Sequence, residues 1–129
     1  MINYGFYKEL NVSFGEILKQ LPEKVKDQGF GIVSQIDMKE KFKEKLGIEF
    51  KEYTILGLCD PASAIKSIQT EQSIGLMLPC NMVVFEKDDK TVVSIIKPTI
   101  AMSMIENEKL ESISRKVEER LKKIFDSIE

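Results

Sequence analysis

Cys59 and Cys80 have the strongest claim to chemistry in this chain, which holds two cysteines and no histidine. Each stands beside a proline, in Cys59-Asp60-Pro61 and in Leu78-Pro79-Cys80-Asn81. A thiolate is both a nucleophile and a soft metal ligand, so a thiol pair supports three chemistries. With the backbone amides of a helix beginning at Asp60-Pro61 and the Asn81 carboxamide, it could bind a small anion. It could hold a soft metal ion, with Cys59 and Cys80 as ligands, or run a dithiol–disulfide cycle. The positive end of that helix would favour a thiolate at Cys59, whereas the Asp60 carboxylate would oppose it. Against all three stands the ordinary role of a free cysteine, packing as a small hydrophobe. The spacing of the pair is neither a zinc nor a thioredoxin signature. Met102 and Met104 would add thioethers suited to Cu(I). An apolar loop containing methionine reads first as gap filling or as a dimer contact, so the sequence alone predicts no copper site.

Much other chemistry is absent. Without histidine there is no Ser-His or Cys-His catalysis and no imidazole metal site. Gly29-Phe30-Gly31 lacks the third glycine of a dinucleotide fingerprint, and neither a phosphate-loop lysine motif nor a Gly-x-Ser-x-Gly elbow occurs. The carboxylates mostly alternate with lysines and read as solvated helix surfaces. Catalytic residues and cofactors are left unassigned. Lys and Arg number 19 against 21 Asp and Glu, a net charge of −2, which argues against nucleic acid as a partner. No run approaches a membrane span, and Met1 to Glu9 does not resemble a signal peptide, so the expected location is the cytoplasm, away from membranes.

A chain of 129 residues predicts a single domain spanning 1–129 with one hydrophobic core. Residues 3–10 alternate as a first strand. Ser13-Phe14-Gly15-Glu16 is a capping box that opens a helix with Phe14, Ile17, Leu18, Leu21 and Val25 at helical spacing, Gly29 suiting its end. Pro22 inside this pattern should kink or break it. Residues 30–36 read as a second strand. A short helix at 38–46 follows, with Met38, Phe42 and Leu46 on one face and Gly47 as its stop. Residues 50–59 form a third strand, expected to be central, and Asp60-Pro61 caps a helix running to about Thr70. Residues 80–87 and 91–97, joined at Asp88-Asp89-Lys90, make a hairpin that Pro98 ends. Finally, Leu110, Ile113, Val117, Leu121, Ile124 and Ile128 lie three or four apart along a long helix from about Asn107 to Ile128. Strands clustered in mid-chain with a long terminal helix predict an α+β layer fold. If the third and fourth strands are antiparallel, Cys59 and Cys80 reach the same end of the sheet. If they are parallel, they lie at opposite ends.

Leu56-Gly57-Leu58-Cys59-Asp60-Pro61-Ala62-Ser63-Ala64 and Ile74-Gly75-Leu76-Met77-Leu78-Pro79-Cys80-Asn81 together resemble the domain-of-unknown-function 302 family of bacteria and archaea. That family shows Leu-Gly-x-Cys-Asn-Pro-x-x-Ala followed by Gly-x-x-Leu-Pro-Cys-Asn before an apolar strand. Gly29-Phe30, Ile36-Asp37, Lys45-Leu46-Gly47 and Pro98 extend the likeness, with a motif core over 35–98. Asp60 stands where the family usually has Asn. The resemblance implies a β-α-β4-α fold like that of the TATA-binding protein. Its curved, mainly antiparallel five-stranded sheet would be packed by an N-terminal and a long C-terminal helix, with short helices inserted near 38–46 and 61–70. It also implies a homodimer and carries no activity. By position it marks Cys59, Pro61, Cys80 and Asn81.

Three functions follow as expectations. The leading one is a homodimeric, non-enzymatic domain that binds a small ligand or soft metal at Cys59, Asp60, Pro61, Cys80 and Asn81. A thiol-dependent redox enzyme using Cys59 and Cys80 requires at least one low thiol pKa. A structural or partner-binding module leaves both thiols as packing.

Overall fold

The structure, a computed structural model, describes residues 2–129. Strands β1 (Gly5–Leu10), β2 (Gly31–Asp37), β3 (Tyr53–Cys59), β4 (Cys80–Lys87) and β5 (Lys90–Ile96) form one sheet in the order β1-β5-β4-β3-β2. All neighbours are antiparallel. Helices α1 (Phe14–Asp27), α2 (Met38–Leu46), α3 (Pro61–Thr70), α4 (Pro98–Ala101) and α5 (Glu108–Ser127) fill the intervals, with a 3-10 turn at Gln72–Met77. The fold is therefore α+β. The third strand lies inside the sheet, but β4 holds its centre, because the β4–β5 hairpin places β5 between β4 and β1.

Local chemistry sets most boundaries. The Ser13 hydroxyl accepts from the Glu16 amide at 3.3 Å, and the Asp37 carboxylate from the Glu40 amide at 3.0 Å. Asn107 Oδ1 accepts from the amides of Lys109 and Leu110, both at 3.1 Å, and so opens α5. Each satisfies donors that a helix start leaves without partners. The first helix continues through Pro22 without a break. Pro22 is solvent-exposed, so the hydrogen bond it forfeits lies on the wet side of the helix, where its loss costs least. At the other end of α1 the Gly29 and Phe30 amides bond to the carbonyls of Lys26 and Val25 at 2.9 and 3.1 Å. This closure needs a left-handed residue, and Gly29 has φ +79°.

The core forms on one face of the sheet. Leu56, Leu58, Met82, Val84, Val93 and Ile95 meet Ile17, Leu21 and Val25 of α1 and Val117, Leu121 and Ile124 of α5. Ser114, not Ile113, is the fully buried member of the α5 stripe, since the 3–4 spacing runs 110, 114, 117, 121, 124. In α2 no residue is buried, and Leu46 is exposed. A smaller apolar cluster of Ile74, Met102 and Leu110 fills the space beside α3.

One polar interaction crosses this framework. Arg120 on α5 donates from Nη1 to Asp60 Oδ2 at 2.6 Å, and from Nη2 and Nε to the Gln28 carbonyl at 2.6 and 3.2 Å. Its guanidinium also lies 4.7 Å over the Phe30 ring. Asp60 accepts from the Ala62 amide at 3.2 Å and the Ser63 hydroxyl at 2.6 Å. Burial by itself would raise the Asp60 carboxyl, but the Ser63 and Arg120 hydrogen bonds, the Arg120 charge and the Ala62 amide outweigh it and hold the pKa below its usual value. The clamp joins the end of α1, the start of α3 and the middle of α5. A Cβ at Gly29 would stand 2.9 Å from Arg120 Nη2, a second reason for glycine there.

Two outcomes follow. Leu121 is fully buried, so Leu121→Ala should cost about 2–5 kcal/mol in urea unfolding at unchanged slope. A loss below about 1 kcal/mol would contradict the packing described. Because the folded Asp60 pKa is lowered, its stabilisation is complete above the unfolded carboxyl value and disappears as pH falls through the folded one. Unfolding measured between pH 7 and pH 2 should therefore show a shallower acid loss in Asp60→Asn, which keeps the cap oxygen, than in the wild type. Identical acid slopes would mean that the clamp stores no proton-linked stability.

Candidate functional site

Antiparallel pairing of β3 with β4 places Leu58 opposite Cys80, so Cys59 and Cys80 arrive at the same end of the sheet. Both line a cavity of about 30 Å3, together with Phe30, Pro79, Ser63, Ser67, Met102 and Ser114. Neither cysteine is in a disulfide. Cys80 is buried at 7% exposure, whereas Cys59 is half-buried. The Leu78–Pro79 peptide just before Cys80 is cis. Pro79 packs against Gly57 of the adjacent strand, where a Cβ would collide with both the Ser34 hydroxyl and the Pro79 ring. Gly57 thus lets β2, β3 and the Pro79 segment close together at this end.

Burial pushes the Cys80 thiol up to about 11, and the neighbouring Cys59 adds to it. Cys59 is raised as well, by burial first and then by the Asp60 carboxylate. Both sulfurs therefore stand protonated at neutral pH. The helix-dipole effect that the sequence offered to Cys59 is absorbed elsewhere, since the Ala62 amide already donates to Asp60.

The sequence candidates part company here. Cys59, Asp60 and Cys80 share the cavity, but Asp60 is occupied by Ser63, Ala62 and Arg120. Pro61 is the first residue of α3 and does not line the cavity. Asn81 is exposed and pairs opposite Gly57, on the face turned away from the core. Strand alternation separates it from the inner cavity beside Cys80. An anion site built from thiols, helix amides and the Asn81 carboxamide is therefore not formed. Asn81 instead borders an open depression of about 230 Å3 with Leu76, Met77, Ile96 and Ala101. That depression shares Leu78, Pro79, Cys80, Pro98 and Met102 with the inner cavity, so the two meet at the Cys80 segment.

Met102, which the sequence names as a thioether but reads first as gap filling or a dimer contact, lines the cavity with the thiols. Ser63, Ser67 and Ser114 line it too and were missed in the sequence. Ser114 donates to the Leu110 carbonyl at 2.9 Å and stands 3.1 Å from Met102 Sδ. Its position on the buried α5 stripe was a readable signal, because a serine among leucines and valines marks a polar contact inside the core. Arg120 gave a similar one, lying three residues after Val117 and four before Ile124.

The fold is shared with a solved structure. A crystal structure of an uncharacterized conserved DUF302 protein from Bacillus stearothermophilus superposes with a TM-score of 0.90 at 28% identity, covering 98% of each chain. No curated protein matches the chain. Residues 6–128 match the family described as "Domain of unknown function DUF302", and the chain belongs to that family.

Proposed function

We propose that this protein is a binding domain, not an enzyme, whose ligand is a soft metal ion or a comparably small species held at Cys59 and Cys80. The observation that carries the reading is the convergence of both thiols on one small, mostly apolar cavity. A volume of about 30 Å3 is roughly the share of a single water molecule. Pockets for organic ligands run to about 300–1,000 Å3, so the ligand is of atomic or few-atom size. A redox cycle finds less support. It needs an accessible thiolate near neutral pH, and both thiols are shifted the other way.

The cytoplasm suits a protein with two unpaired thiols, one of them half-buried. No helix among the described residues is long and apolar enough to cross a membrane. A homodimer formed through the open face of the sheet completes the reading. The long helices cover one face, while Tyr53, Ile55, Val83 and Phe85 lie half-buried on the other. Two copies stacked face to face would cover these side chains. Edge pairing through β2 is a poorer route, because a bulge between Ile32 and Ser34 disrupts its register.

Alkylation by iodoacetamide tests the site. Cys59 should label slowly at pH 7 and faster as pH rises toward its raised pKa, with Cys80 unreactive until the protein unfolds. Silver or cadmium ions should protect Cys59; failure of silver, cadmium and Cu(I) alike to slow labelling would overturn the binding reading. Sedimentation tests the dimer. The wild type should sediment as a dimer and Val83→Lys as a folded monomer, and a wild-type monomer at 100 μM would end that proposal.

A further inference from the structure

Resting on the thiol-site reading above, we infer that Met102 is a third donor and that Cys59, Cys80 and Met102 form a site selective for Cu(I). The three sulfur-bearing residues come from separate segments, the end of β3, the start of β4 and the turn after α4, and all line the same cavity. Met102 is itself buried, at 9% exposure, and Ser114 beside its sulfur restricts where that sulfur can go. The methionine thus reads differently from its sequence context. It packs against Ile74 and Leu110 and also lines the cavity that both thiols line.

The rest of the lining decides which metal fits. The titratable groups around the cavity are Cys59, Cys80 and Asp60. The Asp60 carboxylate already accepts from Arg120, Ser63 and Ala62. The Ser63 hydroxyl donates to Asp60, and Ser67 donates to the Ser63 carbonyl at 2.9 Å. Histidine is absent from the chain. Among the described residues no group of three or more His, Cys, Asp and Glu side chains is placed to hold a metal. Zinc, which takes four ligands from nitrogen, sulfur and carboxylate oxygen, is therefore short of donors. Soft thiolate and thioether donors select Cu(I), for which two or three sulfurs are a complete set.

Binding balances without any redox step. Cu(I) displaces the protons of Cys59 and Cys80, forming two Cu–S bonds and releasing two protons to solvent, while the Met102 thioether donates a lone pair and keeps its neutrality. The metal remains monovalent throughout. Entry is available through the open depression that shares Cys80 and Met102 with the cavity. Leu76, 88% exposed, lines it with Met77, Ile96 and Ala101, so the approach is largely apolar and suits an ion delivered already bound to soft ligands.

Anaerobic titration of the whole protein with Cu(I), against the chromophoric chelator bicinchoninate, tests the site. X-ray absorption at the copper edge of the loaded protein completes it. One equivalent should be withdrawn from the chelator, with three sulfur neighbours in the wild type and two in Met102→Leu. Cys59→Ser and Cys80→Ser should lose retention, and excess Zn(II) should not displace the ion. Two sulfurs in the wild type, unchanged in Met102→Leu, would overturn the role of Met102 and leave the thiol site standing. Displacement by Zn(II) would overturn the selectivity. No retention of Cu(I), with Cys59 still protected by silver or cadmium, would overturn this proposal alone, and absence of protection by any soft ion would remove both. The spectrum of the wild type decides the donor count even if a cysteine variant fails to fold.

Discussion

The contact between Arg120 and Asp60 organises the end of this molecule that holds the two cysteines. An arginine with about a third of its side chain exposed reaches a carboxylate that is 9% exposed, and a backbone carbonyl takes its other face. A carboxylate so buried is tolerated only with its acceptor positions filled, and here a helix amide, a hydroxyl and a guanidinium fill them. That arrangement seats the first turn of α3 against α5 and puts Cys59, one residue before Asp60, on the wall of the cavity. It also leaves no free negative oxygen for a hard cation. Structural satisfaction of Asp60 and the softness of the remaining donor set are one fact.

The resemblance to the family implies Asn at the position of Asp60, which sharpens the point. An amide oxygen can accept from the Ala62 amide as a carboxylate does, but it brings no charge for Arg120. In this chain an ion pair stands where an asparagine would make a neutral contact, and Arg120 joins the Ser63 hydroxyl in holding the carboxyl pKa down against burial. The helix cap is common to both residues; the electrostatic lock belongs to the acid.

Sheet topology supplies the second constraint. Because β3 and β4 are antiparallel neighbours, a connection of twenty residues containing a helix and a 3-10 turn returns the chain to where it left. Gly57 and Pro79 let the backbones approach at that point, and Ser114 and Met102 close the cavity from α5 and the turn before it. The consequence for the thiols is burial. A cavity that brings them together and dries their surroundings also keeps them protonated, so the same packing that gathers the two sulfurs works against a free nucleophile.

Capping boxes at Ser13 and Asp37, the Asp60-Pro61 helix start, the turn at Asp88-Asp89 and the α5 stripe were all legible in the sequence, because each depends on contacts within one or two turns of chain. Pro22 misled, since whether a proline breaks a helix depends on the side of the helix its lost hydrogen bond faces, and that side is set by packing. The sequence alone determined the α+β class and the two cysteine motifs. Only the tertiary structure decided that Met102 joins the thiols, that Asn81 turns away from them, and that Asp60 is taken by Arg120. Those outcomes rest on contacts between residues 12 to 92 positions apart, with distances set by sheet register and helix packing that no local pattern encodes.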